Sequence, residues 1–219
     1  SGTIPDSIVK LTQLEIFRVG GNDFDSMPLG IGSIITLKEF DIHSNNFSGE
    51  LPDTLYALSN LKLFHIASNN FYDTISTRIG DMSELTHIYW GSNDFYGKIP
   101  KEIGNLDKVT FLELYSNDLE GDIPEEISDM SSLNYVRLNY NKFTSIPDSL
   151  SKLKNLKEFN INGNYMEAPF PNCLGKIKTI KSLYLQYNLF YGDIDTSFGN
   201  LPNMTTFNVS RNNISNLPD

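Results

Sequence analysis

The sequence has little sulphur, a deficit of positive charge and no long apolar run, and each shortage excludes something. A single cysteine, Cys173, cannot form a disulfide within the chain. No stretch approaches the run of about 18 apolar residues that crosses a bilayer, and the residues after Ser1 do not open a signal peptide. No direct membrane insertion is therefore expected. With 17 Lys and Arg against 27 Asp and Glu the formal charge is −10. That balance disfavours nucleic acid, whose phosphates are neutralised by Lys and Arg, and it equally disfavours an anionic membrane surface. The motifs of catalysis are missing too: no Cys-x-x-Cys, His-Glu-x-x-His or Gly-x-Ser-x-Gly, and no phosphate-cradling glycine loop. Cys173 stands away from any histidine that could act as its base. No enzyme activity, cofactor or metal site is expected.

Asparagine, by contrast, recurs at a fixed spacing. Asn22, Asn45, Asn69, Asn93, Asn117, Asn141, Asn164, Asn188 and Asn212 follow one another at steps of 24 residues, with two steps of 23. Residues 109–133 show the repeated unit: apolar Val109, Leu112, Leu114 and Leu119 around Asn117, a Gly-Asp-Ile-Pro turn at 121–124, then Ile127 and Met130. Alternation at the second and third apolar positions gives a half-buried strand whose intervening residues face out. Stacked turn on turn at about 4.8 Å, nine such strands make a parallel sheet on the order of 40 Å long. The chain bends sharply after each strand, against the next coil. An Asn amide donates and accepts at once and can satisfy the backbone of that bend, so all nine asparagines read as a structural ladder.

The pattern L-x-x-L-x-L-x-x-N-x-L at a period of 20 to 29 is the signature of a leucine-rich repeat. A Gly-x-Ile/Leu-Pro turn follows in full at 2–5, 49–52, 97–100 and 121–124 and in degraded form at 73–76 and 192–195, and the extended form N-x-F/L-x-G-x-I-P-x-x-I/L-G resembles the plant-type repeat. The resemblance implies an α/β repeat solenoid: a right-handed coil with a parallel concave sheet of about nine strands. Its convex side would hold 3₁₀ or extended segments, with a second short strand after each Asn and little α-helix. Two turns, 22–28 and 141–147, lack the glycine and are one residue shorter, as in the S-x-P repeats of bacterial and intracellular signalling proteins. Residues 1–219 read as a single solenoid that begins and ends in mid-coil, an internal piece of a longer protein without capping repeats. Plant-type repeats resemble those of receptor-kinase ectodomains and polygalacturonase-inhibiting proteins. The resemblance implies a recognition module of a receptor-like or inhibitor-like ectodomain with a protein, peptide or glycan partner, although no ligand-contact motif of those families is recognisable.

Once the periodic residues are assigned, the outward positions remain as columns. They bring Leu63, His65, His87, Tyr89, Phe111, Glu113, Tyr115, Tyr135, Arg137, Tyr140, Tyr184 and Tyr187 to the concave face as candidate ligand-binding residues. Contiguous apolar and aromatic surface of this kind marks recognition sites. Bases outnumber acids at these outward positions, so the convex side carries more than the whole negative charge. The three histidines, His43, His65 and His87, fall 22 residues apart and step diagonally across neighbouring strands. A three-histidine metal site would need converging rotamers, and none is assigned. Tyr72, Tyr96 and Tyr191, just after Asn-x-Phe, form an apparent second ladder suited to lateral self-association in a structural or adhesive repeat. Sequons at Asn46, Asn203, Asn208 and Asn213 fit an extracellular or cell-surface chain. The S-x-P turns and the lone cysteine keep a cytoplasmic scaffold as the alternative.

Overall fold

The computed structural model describes residues 2–217 and forms a single coil with one sheet on its inner face. Ser1, Pro218 and Asp219, which entered the reading of the chain ends, lie outside the described residues. Nine strands of three residues each, from Ile16–Arg18 to Thr206–Asn208, pair in parallel and in chain order. Register passes without a break: Phe111 lies between His87 and Tyr135, Leu112 between Ile88 and Val136, and Glu113 between Tyr89 and Arg137. The central residue of each strand points into the coil, where Phe40, Phe64, Leu112, Val136, Phe159 and Leu183 are completely buried. The flanking residues of each strand then face the other way by the two-residue period of a strand.

The outer side is made of short pieces. Nine 3₁₀ segments of five residues occur among the described residues, the first at Asp6–Lys10 and the last at Thr196–Asn200. Seven are preceded by proline, at Pro5, Pro28, Pro52, Pro100, Pro124, Pro147 and Pro171, whose fixed φ sets the entry to the segment. In the other two a side chain takes over: Ser76 Oγ accepts from Arg78 N–H at 3.3 Å, and Asp195 Oδ1 from Ser197 N–H at 2.6 Å. The degraded turns of the sequence are thus capped by other means.

The asparagine ladder is the seam between coils. Asn45 Nδ2 donates to Ile42 and His43 carbonyls in its own coil and to Val19 in the preceding one, each at 3.0 Å. Its Oδ1 accepts from Phe24 N–H at 3.0 Å. The same set recurs at Asn117 and Asn188, and the seven ladder residues from Asn45 to Asn188 are buried. Asn22 is exposed and, among the described residues, bonds to Val19 and Gly20 of its own coil. The residue before each ladder Asn takes a left-handed conformation, as at Gly21 (φ 70°), Ser44 (51°), Ser116 (51°), Tyr140 (55°) and Tyr187 (56°).

The shorter coils are absorbed on the outer side only. Register shifts fall at Gly2/Thr3, Gly121/Asp122 and Gly192/Asp193, where the outer strand of one coil meets a shorter neighbour. Sequence reading marked two such turns; residues 212–218 are a third, and the bulge at Gly192/Asp193 records it. In each the unpaired residue, Asp25, Thr144 or Ser215, lies on the shorter coil, whose strand kinks to rejoin its neighbour, and the inner sheet stays in register.

Candidate functional site

Side chains in register across strands about 4.8 Å apart stand at stacking distance when they are rings. His87 stacks on Phe111 with centroids 4.9 Å apart, and Phe111 on Tyr135 at 4.5 Å, with interplanar angles of 13° and 10°. Tyr89, in the next column, leans on Phe111 at 6.2 Å and meets His65 edge-on at 5.1 Å. His65 in turn stacks on His43 at 4.4 Å. A continuous band of rings therefore crosses the middle of the concave face, and its members are all half-buried.

Past Tyr135 the band gives way to charge. Arg137 bridges two carboxylates, donating from Nη1 to Glu113 Oε1 at 2.9 Å and from Nε to Glu158 Oε1 at 2.7 Å. Burial raises the Glu113 carboxyl above its ordinary range, against the pull of Arg137, while the bond to Glu158 holds Arg137 firmly charged. A hollow of about 400 Å³ opens beside this bridge, lined by Glu113, Tyr115, Arg137, Asn139, Glu158, Asn160 and Tyr184. Tyr115 lies over Gly91, where a Cβ would fall 2.5 Å from the ring, so the glycine gives the tyrosine its place. At the other end of the face Glu39 pairs with Arg18, Glu15 with Lys38 at 2.8 Å, and Asp41 with His43 and His65. Every acid at the outward positions has a basic or histidine partner, and Lys62, Lys157, Lys181 and Arg211 stand outside those pairs.

The structure joins most of the expected residues and separates a few. Leu63, His87, Phe111 and Tyr135 share one register row, and His65, Tyr89, Glu113 and Arg137 the next. Tyr140 and Tyr187, expected on the face, stand apart from the ring band. They occupy the left-handed turn position, are 57% and 58% exposed, and make no ring contact among the described residues. Tyr140 leans instead over Gly163, where a Cβ would lie 2.7 Å from its ring. The histidines do not act as a set, because His87 turns to Phe111 while His43 and His65 turn to Asp41. Tyr72, Tyr96 and Tyr191 are exposed, yet Tyr191 stands four coils beyond Tyr96, with Glu120, Thr144 and Glu167 in the places between. They form no ladder. Asn46, Asn203 and Asn213 are exposed, and Asn208 is half-buried at the end of the last inner strand.

Sequence reasoning weighed His43 with the other histidines but left it, Asp41, Asn139, Glu158 and Asn160 out of the candidate ligand-binding residues. Glu158 was legible as the register neighbour of Tyr135. Asn139 belongs to the column two residues before each ladder Asn, which Tyr115 alone had brought to notice.

These features define a repeat solenoid that displays an aromatic and charged concave face. A leucine-rich-repeat family model matches residues 131–190 and a second such model residues 36–58. The chain is a leucine-rich-repeat protein, and its repeats are of the plant-receptor type. It superposes on the crystal structure of PEPR1–AtPEP1 with a TM-score of 0.92 and 28% identity, over 97% of this chain and 30% of that one. The Arabidopsis receptor kinase HAESA, solved with the peptide hormone IDA and the co-receptor SERK1, gives a TM-score of 0.92 and 25% identity. That match covers 97% of this chain and 36% of the receptor's. Adenylate cyclase of Schizosaccharomyces pombe is 30% identical over 80 residues, 36% of this chain but 5% of the enzyme. No helix among the described residues is long and apolar enough to cross a membrane.

Proposed function

We propose that this chain is a non-enzymatic recognition module, part of an extracellular receptor-like ectodomain whose concave face takes an extended peptide segment. The observation that carries the reading is the unbroken band His65–Tyr89–Phe111–Tyr135, which ends at the Arg137 bridge and its hollow. Rigid aromatic surface with polar tips is what recognition anchors are made of, and the adjoining Glu113, Arg137 and Glu158 offer a peptide both donors and acceptors. PEPR1 with AtPEP1, and HAESA with IDA, supply the precedent of solenoids of this shape that hold peptides. The exposed Asn46, Asn203 and Asn213 sequons support the extracellular placement.

Selection of random 15-residue peptides displayed on phage, followed by fluorescence anisotropy with the winners, tests the reading. Phe111→Ala with Tyr135→Ala should weaken the selected peptides at least tenfold, whereas Tyr72→Ala on the outer side should not. Peptides that bind the double variant with unchanged Kd would remove the concave band from the account, as would a selection that yields no binder.

A further inference from the structure

Three side chains at the N-terminal end of the concave face converge on one point. Asp41 and His65 are register partners on adjacent strands, and His43, two residues beyond Asp41, projects from the same side. Asp41 Oδ1 lies 2.6 Å from His43 Nδ1 and 3.3 Å from His65 Nδ1, and one ligand atom from each of the three falls within 4.8 Å of the others. The carboxylate is anchored, since Oδ1 also accepts from the His43 backbone N–H at 3.2 Å. Arg18, the register neighbour of Asp41 on its other side, directs its guanidinium to Glu39 and leaves Asp41 to the histidines. The His43 ring occupies space that exists because residue 20 is glycine: a Cβ there would sit 2.3 Å from Nδ1 and Cε1 of the ring.

Two imidazole nitrogens and one carboxylate oxygen are the donor set that suits a borderline divalent ion, with zinc the type. Metal–ligand bonds of about 2.0–2.2 Å at tetrahedral angles place the donor atoms roughly 3.3 Å apart. His65 already stands at that distance from Asp41, and His43 needs to withdraw by well under 1 Å and tilt out of its stack. We propose that Asp41, His43 and His65 form a three-ligand site for a divalent first-row cation, zinc above all, with its remaining coordination positions open to the concave side. The site shares His65 with the ring band but does not rest on the peptide-binding reading. A metal takes the Nδ1 lone pair of a neutral ring, so each histidine would bind it as the tautomer protonated at Nε2. Burial disfavours the imidazolium of His65, the form that cannot bind a metal, against the pull of Asp41.

His87 supplies an internal control, because it lies in the same band but stacks on Phe111 away from the cluster. Zinc chloride titrated into the untagged chain by calorimetry should show one saturable site, and cobalt(II) should develop the visible absorption of a low-symmetry, nitrogen-ligated ion. His43→Gln and His65→Gln should each weaken zinc at least tenfold, and His87→Gln should leave it unchanged. Gly20→Ala keeps all three ligands but presses a methyl against the His43 ring, and should weaken zinc as well. Circular dichroism of each metal-free variant establishes that the coil is intact. The proposal is overturned by the absence of saturable zinc binding in the parent chain. It is equally overturned if binding survives His43→Gln with His65→Gln, or if His87→Gln removes it to the same degree.

Discussion

Asn141 makes four hydrogen bonds with one side chain: Nδ2 donates to the carbonyls of Leu114 at 2.9 Å, Leu138 at 3.2 Å and Asn139 at 3.4 Å, and Oδ1 accepts from Leu119 N–H at 3.0 Å. Leu114 and Leu119 belong to the preceding coil, so the residue fastens two turns together. Leucine fills the same volume but leaves these buried groups unpaired, at about 1–3 kcal/mol for each one that finds no water. Asn141→Leu should therefore lower stability by at least about 2 kcal/mol, as read from urea unfolding followed by the fluorescence of Trp90, the one tryptophan. Residues of this kind were legible because the backbone alone dictates their task. The face was legible only as columns. Spacing placed His65 and His87 at outward positions in neighbouring columns, but the direction of each ring depends on what its neighbour offers, an acceptor at Asp41 or a flat ring at Phe111. Tyr140 and Tyr187 stand one residue beyond the column of Tyr115, at the left-handed turn position, a distinction that counting from the strand did not draw.

At the scale of the element, the ring band ties binding to protonation. Burial lowers the affinity of His65 and His87 for protons, and for His65 the facing Asp41 works against that effect while His43 reinforces it. In the unfolded chain both histidines titrate near the ordinary value of about 6.5. As pH falls through that value the unfolded state takes up protons first, so the folded state loses stability until its own lower pKa values are reached. The thermal midpoint of the zinc-free chain should be level above about pH 7 and decline as pH falls below about 6.5. Differential scanning fluorimetry in chelator would show it. His87→Phe, which keeps a ring on Phe111 and removes the titrating group, should shallow the decline; an unaltered slope would mean that His87 contributes nothing to it. The outer elements teach a complementary lesson about legibility. Proline announced seven of the 3₁₀ segments, while at Ser76 and Asp195 the same geometry is reached through a side-chain cap that ordinary serine and aspartate do not advertise.

In the whole molecule each coil touches only its neighbours, so stability is distributed along the axis and cohesion is local. Leu112 and Val136 are completely buried, whereas Leu14 and Val19 in the first inner strand region and Met204, Phe207 and Val209 in the last are only partly so. Hydrogen exchange should accordingly be slowest at the amides of Leu112 and Val136 and faster by orders of magnitude at Phe17 and Phe207. Uniform protection from end to end would mean that the coils open as one unit. The bulges of the outer side bear on a different matter, that of variation. Coils of unequal length are reconciled at Gly2, Gly121 and Gly192, while the inner strands keep an unshifted register from Ile16 to Asn208. The length of a coil and the position of its inner side chains are therefore separate variables. A residue can be gained or lost on the outer side of this solenoid without moving Phe111 relative to Tyr135, so the face can remain fixed in its spacing while its support drifts.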